Sequence, residues 1–210
     1  MLINIDKYKF HNLLEPIFVK TKDVLETMSD DYIFSTILNS NNDQNEEETW
    51  YYVQLKEGNV FYKSNNASRQ MDDDVDINEK NKSDISWLYV SLFDKTWKPG
   101  IKIDPDIEIY FEDIINSAKH LPGLRSIGLH ISSPKTYIIP HTDYEETDNF
   151  MNIVCIMKSK DAILKIKQEQ YPVKENQSFI FDASQEHAVE NFKDSIFIAL
   201  TIRIEKDFVE

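Results

Sequence analysis

Between residues 126 and 204 the chain reads as seven short β-prone segments with no helix among them. They span 126–132, 136–141, 150–158, 162–167, 178–181, 187–191 and 196–204, and turn-forming residues separate them. Many short strands without helical crossovers predict a sandwich or barrel of jelly-roll type. The last segment alternates along its length. Ile196, Ile198, Leu200, Ile202 and Ile204 fall on one face, and Phe197, Ala199, Thr201 and Arg203 on the other. The aliphatic face is expected under a covering layer, and the mixed face suits the wall of a cavity. Ahead of the strands, residues 107–120 carry apolar groups at helical spacing, and Leu121-Pro122-Gly123 stops that helix.

One spacing within these strands carries chemistry. His141 and Asp143 stand two apart at the end of the 136–141 segment, so an extended backbone turns both to the same side. His187 opens a later strand and can reach the same place. Two imidazoles and one carboxylate on separate stretches have the form of a facial triad, which holds one face of a non-haem Fe(II) and leaves the other open. A closed structural zinc site calls for a fourth ligand, often cysteine. The single cysteine, Cys155, lies in an apolar run and reads as a core residue. His130 lies in a strand and is a candidate to face the same cavity. His11 and His120 read as surface or helix-end residues.

Composition narrows the partners. A net charge of −14 argues against nucleic acid, whose phosphates need a basic footprint, and against an anionic membrane surface. One cysteine permits no intrachain disulfide, and a reducing, cytoplasmic setting is the simpler expectation. The N-terminus carries no signal-peptide apolar run, and no stretch approaches the roughly 18 apolar residues of a membrane helix. The length of 210 residues fits a single domain, 1–210. Within it, residues 1–84 read as an N-terminal helix and strand extension, and 85–208 as the jelly-roll core. The extension holds a predicted hairpin, 50–55 against 59–62, and a mobile polar loop over 64–84. The oligomeric state is not readable from the sequence.

Three stretches carry a resemblance to a known family. They are Leu121-Pro122-Gly123-Leu124-Arg125-Ser126, then Ser133 to His141, and above all Glu175 to Asn191 with its Phe181-Asp182-Ala183-Ser184-Gln185-Glu186-His187 run. In them the segment from about Trp87 to Phe208 resembles the aspartyl/asparaginyl β-hydroxylases, which include free-amino-acid hydroxylases such as proline hydroxylases. The resemblance implies a mainly β fold with flanking helices, a double-stranded β-helix (jelly roll, cupin-like). It implies Fe(II) on His141, Asp143 and His187, with 2-oxoglutarate as co-substrate oxidised to succinate and CO₂. The expected outcome is hydroxylation of a small molecule or an amino-acid side chain. Some family members have glycine in place of the carboxylate ligand; Asp143 places this chain on the triad-bearing branch.

The chain departs from the family pattern after each histidine: the family's inward arginine and histidine after the first ligand are altered, falling near Phe150 and Asn152, and the second departure bears on the co-substrate. Family members place an arginine about ten positions after the second iron histidine, where it pairs with the distal carboxylate of 2-oxoglutarate; Phe197 stands there in this chain. His130, Tyr137 and Asn152 are candidates for neutral hydrogen bonds to the co-substrate, and Lys158, Lys165 or Lys167 for a charge from a strand. Arg203, and also Arg125, are candidates for anchoring a substrate carboxylate near the mouth. Two alternatives stay open: an iron oxygenase on the same roll that does not use 2-oxoglutarate, and a non-catalytic binding protein that kept the barrel.

Overall fold

A computed structural model of the chain describes residues 1–27, 52–56, 59–63, 87–95, 105–132, 136–144, 148–191 and 195–209. The described strands are β1 (Tyr52–Lys56), β2 (Asn59–Lys63), β3 (Trp87–Asp94), β4 (Leu124–Ser132), β5 (Thr136–His141), β6 (Phe150–Lys158), β7 (Ala162–Ile166), β8 (Glu169–Val173), β9 (Ser178–Phe181), β10 (His187–Asn191) and β11 (Phe197–Glu205). Two helices, α1 (Glu15–Glu26) and α2 (Pro105–Ala118), accompany them.

Two antiparallel sheets make the body. One has the order β3-β4-β11-β6-β9 and the other β5-β10-β7-β8. From β4 onward the chain passes between the sheets at nearly every connection; only β7 and β8, a hairpin, stay in one sheet. This strand order is that of a double-stranded β-helix, a jelly roll. The predicted hairpin is present as β1 against β2, with Tyr52 opposite Lys63 and Lys56 opposite Asn59. The loop expected over 64–84 lies outside the described residues.

Side-chain alternation divides the core in two. The five-stranded sheet turns Leu124, Ile127, Leu129, Ile131, Ile153 and Cys155 away from the other sheet, into a cluster with Leu14, Ile17, Leu25, Phe111, Ile114 and Ile115 of the N-terminal segment and helices. All five aliphatic residues of the 196–204 pattern join this cluster. The opposite face contributes Val154, Ile156, Phe179, Phe181, Phe197 and Ala199 to a second cluster between the sheets, with Leu164 and Ile166 from β7. Cys155 is buried in the first cluster, and burial pushes its thiol up to about 12, as expected of a core residue.

The N-terminal segment is woven into this body. Ile3 and Ile180 exchange backbone hydrogen bonds of 2.8 and 2.9 Å. Tyr8 is fully buried and donates its hydroxyl to the Pro122 carbonyl at 2.7 Å.

Strand β8 has no counterpart in the sequence reading. Glu169, Gln170 and Pro172 are exposed there, and only Val173 is buried. An edge strand can carry proline and polar groups because one side makes no ladder, and so it loses the alternation that makes strands legible. The strand before it ends at Ile166, since Lys167 takes a positive φ of 54° in the turn.

The predicted stop after α2 is a tight turn in which the Leu124 N–H bonds the Leu121 carbonyl at 3.2 Å. Pro122 and Gly123, the latter at φ 73°, occupy its centre, the signature of a type II turn. A Cβ on Gly123 would stand 2.4 Å from the Phe208 ring. Gly123→Ala therefore combines left-handed strain, about 1–2 kcal/mol, with a clash. Thermal unfolding should show a lower midpoint for this variant, and an unchanged midpoint would count against the turn geometry.

Candidate metal centre

The register of the four-stranded sheet sets His187 directly opposite His141. Their ring centroids are 4.4 Å apart. Asp143 follows β5 in the connection, and its N–H donates to the Ala183 carbonyl at 2.9 Å, pinning that turn to the β9–β10 connection. The carboxylate Oδ1 then lies 3.6 Å from His141 Nε2 and 3.7 Å from His187 Nε2. One ligand atom from each residue lies within 4.8 Å of the others. Donors at 2.0–2.2 Å from one ion in adjacent coordination positions are roughly 3 Å apart, so the three need close in only slightly to share a cation.

The surroundings hold the donors in a ligating form. His187 donates its Nδ1–H to the Gln185 carbonyl at 2.9 Å, which turns the Nε2 lone pair to the site. Phe181 packs edge-on against the same ring at 5.1 Å between centroids. Burial, opposed by the Asp143 charge, lowers the His187 pKa and favours the neutral ligand. Burial also works against the Asp143 charge, but the adjacent His141 imidazole and the fields of His187 and Arg203 outweigh it and hold this carboxyl well below the usual range.

The other oxygen of Asp143 is fixed separately. Asn152 Nδ2 donates to Oδ2 at 2.8 Å, and Arg203 approaches it at 3.3 Å. Arg203 also donates from Nε to Asn152 Oδ1 at 3.3 Å, closing a three-membered network. Asn152 and Arg203 are register partners on β6 and β11. The guanidinium lies over Tyr144, 4.8 Å from the ring centroid. Tyr144 in turn donates to the Phe150 carbonyl at 2.9 Å and accepts from the Ala183 N–H at 3.1 Å. Sequence reading missed Tyr144, because strand periodicity ends before it and nothing marks a turn residue as a brace.

A cavity of about 530 Å³, measured out to its mouth, opens from the triad between the sheets. His130, Asn152 and Thr201 join the three triad residues in its wall, and the other described wall residues are apolar. The register arranges these in levels. Asn152 and Phe181 stand at the level of Arg203, then Val154 with Thr201, then Ile156 with Ala199 and His130, and Phe197 lies deepest on β11.

The structure thus brings His141, Asp143, His187, His130 and Asn152 to one cavity. Tyr137 lies in β5, but its side chain is outside the described residues. Arg203 engages Asp143 and Asn152. Arg125 lies over the Phe150 ring at 5.6 Å, and Phe150 packs edge-on against Tyr144, so both arginines flank one aromatic pair. Lys165 pairs with Glu190.

Burial pushes the His130 imidazole down to about 4, so it is neutral near pH 7. The unfolded chain binds a proton at this residue below pH 6.5, and the folded chain only near 4, so acid favours unfolding across that window. Discounted for partial exposure, the loss amounts to about 1–2 kcal/mol. Asp143 adds a further loss below 3.8, as its depressed carboxyl becomes protonated. Thermal melts of the metal-free protein from pH 7 to 4 should fall more steeply than those of His130→Gln.

The model of the aspartyl/asparaginyl β-hydroxylase family matches residues 47–207, which extends the likeness upstream of Trp87. No curated protein is significantly similar in sequence. Among solved structures, the chain is similar to the Cupin_2 domain of an XRE family transcriptional regulator from Enterobacter cloacae. Identity there is 15%, coverage 57% of this chain and 96% of that one, and the TM-score 0.38. A cupin domain from Bordetella pertussis is 17% identical over 40% of this chain and 95% of that one, at a TM-score of 0.32. The Cnp3 cupin domain of Schizosaccharomyces pombe is 9% identical over 57% of this chain and 64% of that one, less than two thirds of its length, at 0.38. Among the described residues no helix is long and apolar enough to cross a membrane.

Proposed function

The chain belongs to the aspartyl/asparaginyl β-hydroxylase family, and from that premise we propose that it is a mononuclear Fe(II) hydroxylase using a 2-oxo acid as co-substrate. The observation that carries the reading is the convergence of His141, Asp143 and His187 at the polar end of an otherwise apolar cavity. Two nitrogens and one oxygen, with no fourth protein donor beside them among the described residues, suit Fe(II) with open positions. When bound, the metal supplies the site at which O₂ is reduced.

The protein's own residues do the positioning. Gln185 sets the His187 tautomer. Asn152 and Arg203 occupy Asp143 Oδ2 and leave Oδ1 toward the histidines. The apolar wall excludes water from the space beside the triad. His130 and Asn152 offer neutral hydrogen bonds to the co-substrate. Arg203 lies over Tyr144 and Arg125 over Phe150, and the two guanidinium groups suit a substrate that carries a carboxylate, such as an amino acid. The buried reduced Cys155 is compatible with a cytoplasmic setting.

The test is a mass-spectrometric screen of amino acids and peptides for gain of one oxygen atom, with Fe(II), ascorbate and a panel of 2-oxo acids. Oxygen gain that needs both iron and a 2-oxo acid supports the reading. Iron binding without any 2-oxo acid binding would reject it in favour of an iron oxygenase with another reductant, an alternative that the apolar wall keeps in play.

A further inference from the structure

The depth of the cavity does not fit 2-oxoglutarate. From the level of Val154, Phe179 and Thr201 onward, the five-stranded sheet lines the wall with Ile156, Ala199 and Phe197, with His130 opposite Ala199, and Leu164 and Val173 line it from the other sheet. A dicarboxylate held by the triad would direct its second carboxylate into that apolar end. Among the described residues of the wall there is no lysine or arginine to meet it. His130 stands at the Ala199 level and can donate one hydrogen bond, but it brings no charge near pH 7. An ionised carboxylate without a cationic partner is strongly disfavoured in such surroundings. An aliphatic or aromatic tail gains there by leaving water.

We propose that the co-substrate is a monocarboxylic 2-oxo acid with an apolar tail, seated against Phe197. This rests on the 2-oxo-acid reading above and narrows it. The tail lies along β11 and β6 past His130 toward Phe197, while the charged head stays at the Asn152 end beside the triad. The stoichiometry balances. The C1–C2 bond of the 2-oxo acid breaks, C1 leaves as CO₂, and C2 becomes the carboxyl carbon of a shortened acid. That oxidation supplies two electrons and the substrate C–H bond two more, reducing O₂ by four. One oxygen atom enters the shortened acid and the other the substrate. Transamination of aliphatic or aromatic amino acids is the class of reaction that supplies such 2-oxo acids.

The experiment is an anaerobic titration of the Fe(II)-loaded full chain with 4-methyl-2-oxopentanoate, phenylpyruvate and 2-oxoglutarate. Binding is read by calorimetry and by the visible charge-transfer band of the chelate. An apolar acid should bind at least about tenfold more tightly than 2-oxoglutarate, a difference of about 1.4 kcal/mol. Phe197→Arg should reverse the order, since the introduced guanidinium can meet a distal carboxylate and has the buried, unpartnered Ser132 hydroxyl opposite it in the register. The wild-type order decides the matter if that variant does not fold. Equal or tighter binding of 2-oxoglutarate by the wild type overturns this inference and leaves the 2-oxo-acid reading standing. Absence of binding by all three acids to an iron-loaded protein overturns both.

Discussion

His187→Ala is expected to purify without iron and to lose hydroxylation to background. The side chain is 6% exposed and lies directly opposite His141, so the paired strands bring the two imidazole nitrogens to the site together. Changes to groups that only support a ligand lower metal affinity by roughly 10–100-fold; loss of one of three ligands should exceed the upper figure. His141→Ala should behave alike, since the two imidazoles contribute equivalent nitrogens from paired strands. Metal analysis after anaerobic reconstitution measures this, with circular dichroism to verify the fold. Full iron occupancy in both variants would remove the triad assignment and with it the hydroxylase reading.

The convergence of His141, Asp143 and His187 was legible because their spacing is written in strand grammar. His141 and Asp143 flank a single residue at a strand end, and His187 opens a strand whose partner is β5. The alternation of β11 was equally readable and correctly sorted Ile198, Leu200 and Ile202 from Ala199 and Thr201. What the sequence hid depends on contacts between distant positions. Arg203 has no local mark of its engagement with Asp143, which exists only because β11 pairs with β6 in a register that sets it beside Asn152. Tyr144 braces two connections from a turn, where periodicity says nothing. Strand β8 escaped because an edge strand need not alternate. The apolar depth of the cavity was only half visible. Phe197 at the expected arginine position was plain, but that the described residues of the surrounding wall offer no substitute cation required all its strands to be assembled.

Asn152→Leu should weaken metal binding by roughly 10–100-fold while leaving all three ligands in place. Asn152 is 1% exposed and donates to Asp143 Oδ2 at 2.8 Å. Leucine fills similar space but donates nothing, so the carboxylate can rotate and offer the wrong oxygen. It also deprives Arg203 Nε of its acceptor, and each buried group left short of a partner costs about 1–3 kcal/mol. Arg203→Met should cost less metal affinity than Asn152→Leu. Its guanidinium orients Oδ2 too, but its positive charge repels the incoming cation, so removal loses positioning and gains relief of repulsion. The same charge keeps the Asp143 carboxyl acidic. Without it a proton competes better, and the affinity deficit of Arg203→Met should widen as pH falls. Fe(II) affinity of both variants measured across pH, under anaerobic conditions, separates the two contributions. An Asn152→Leu protein with wild-type affinity would show that Asp143 holds its orientation without this bond.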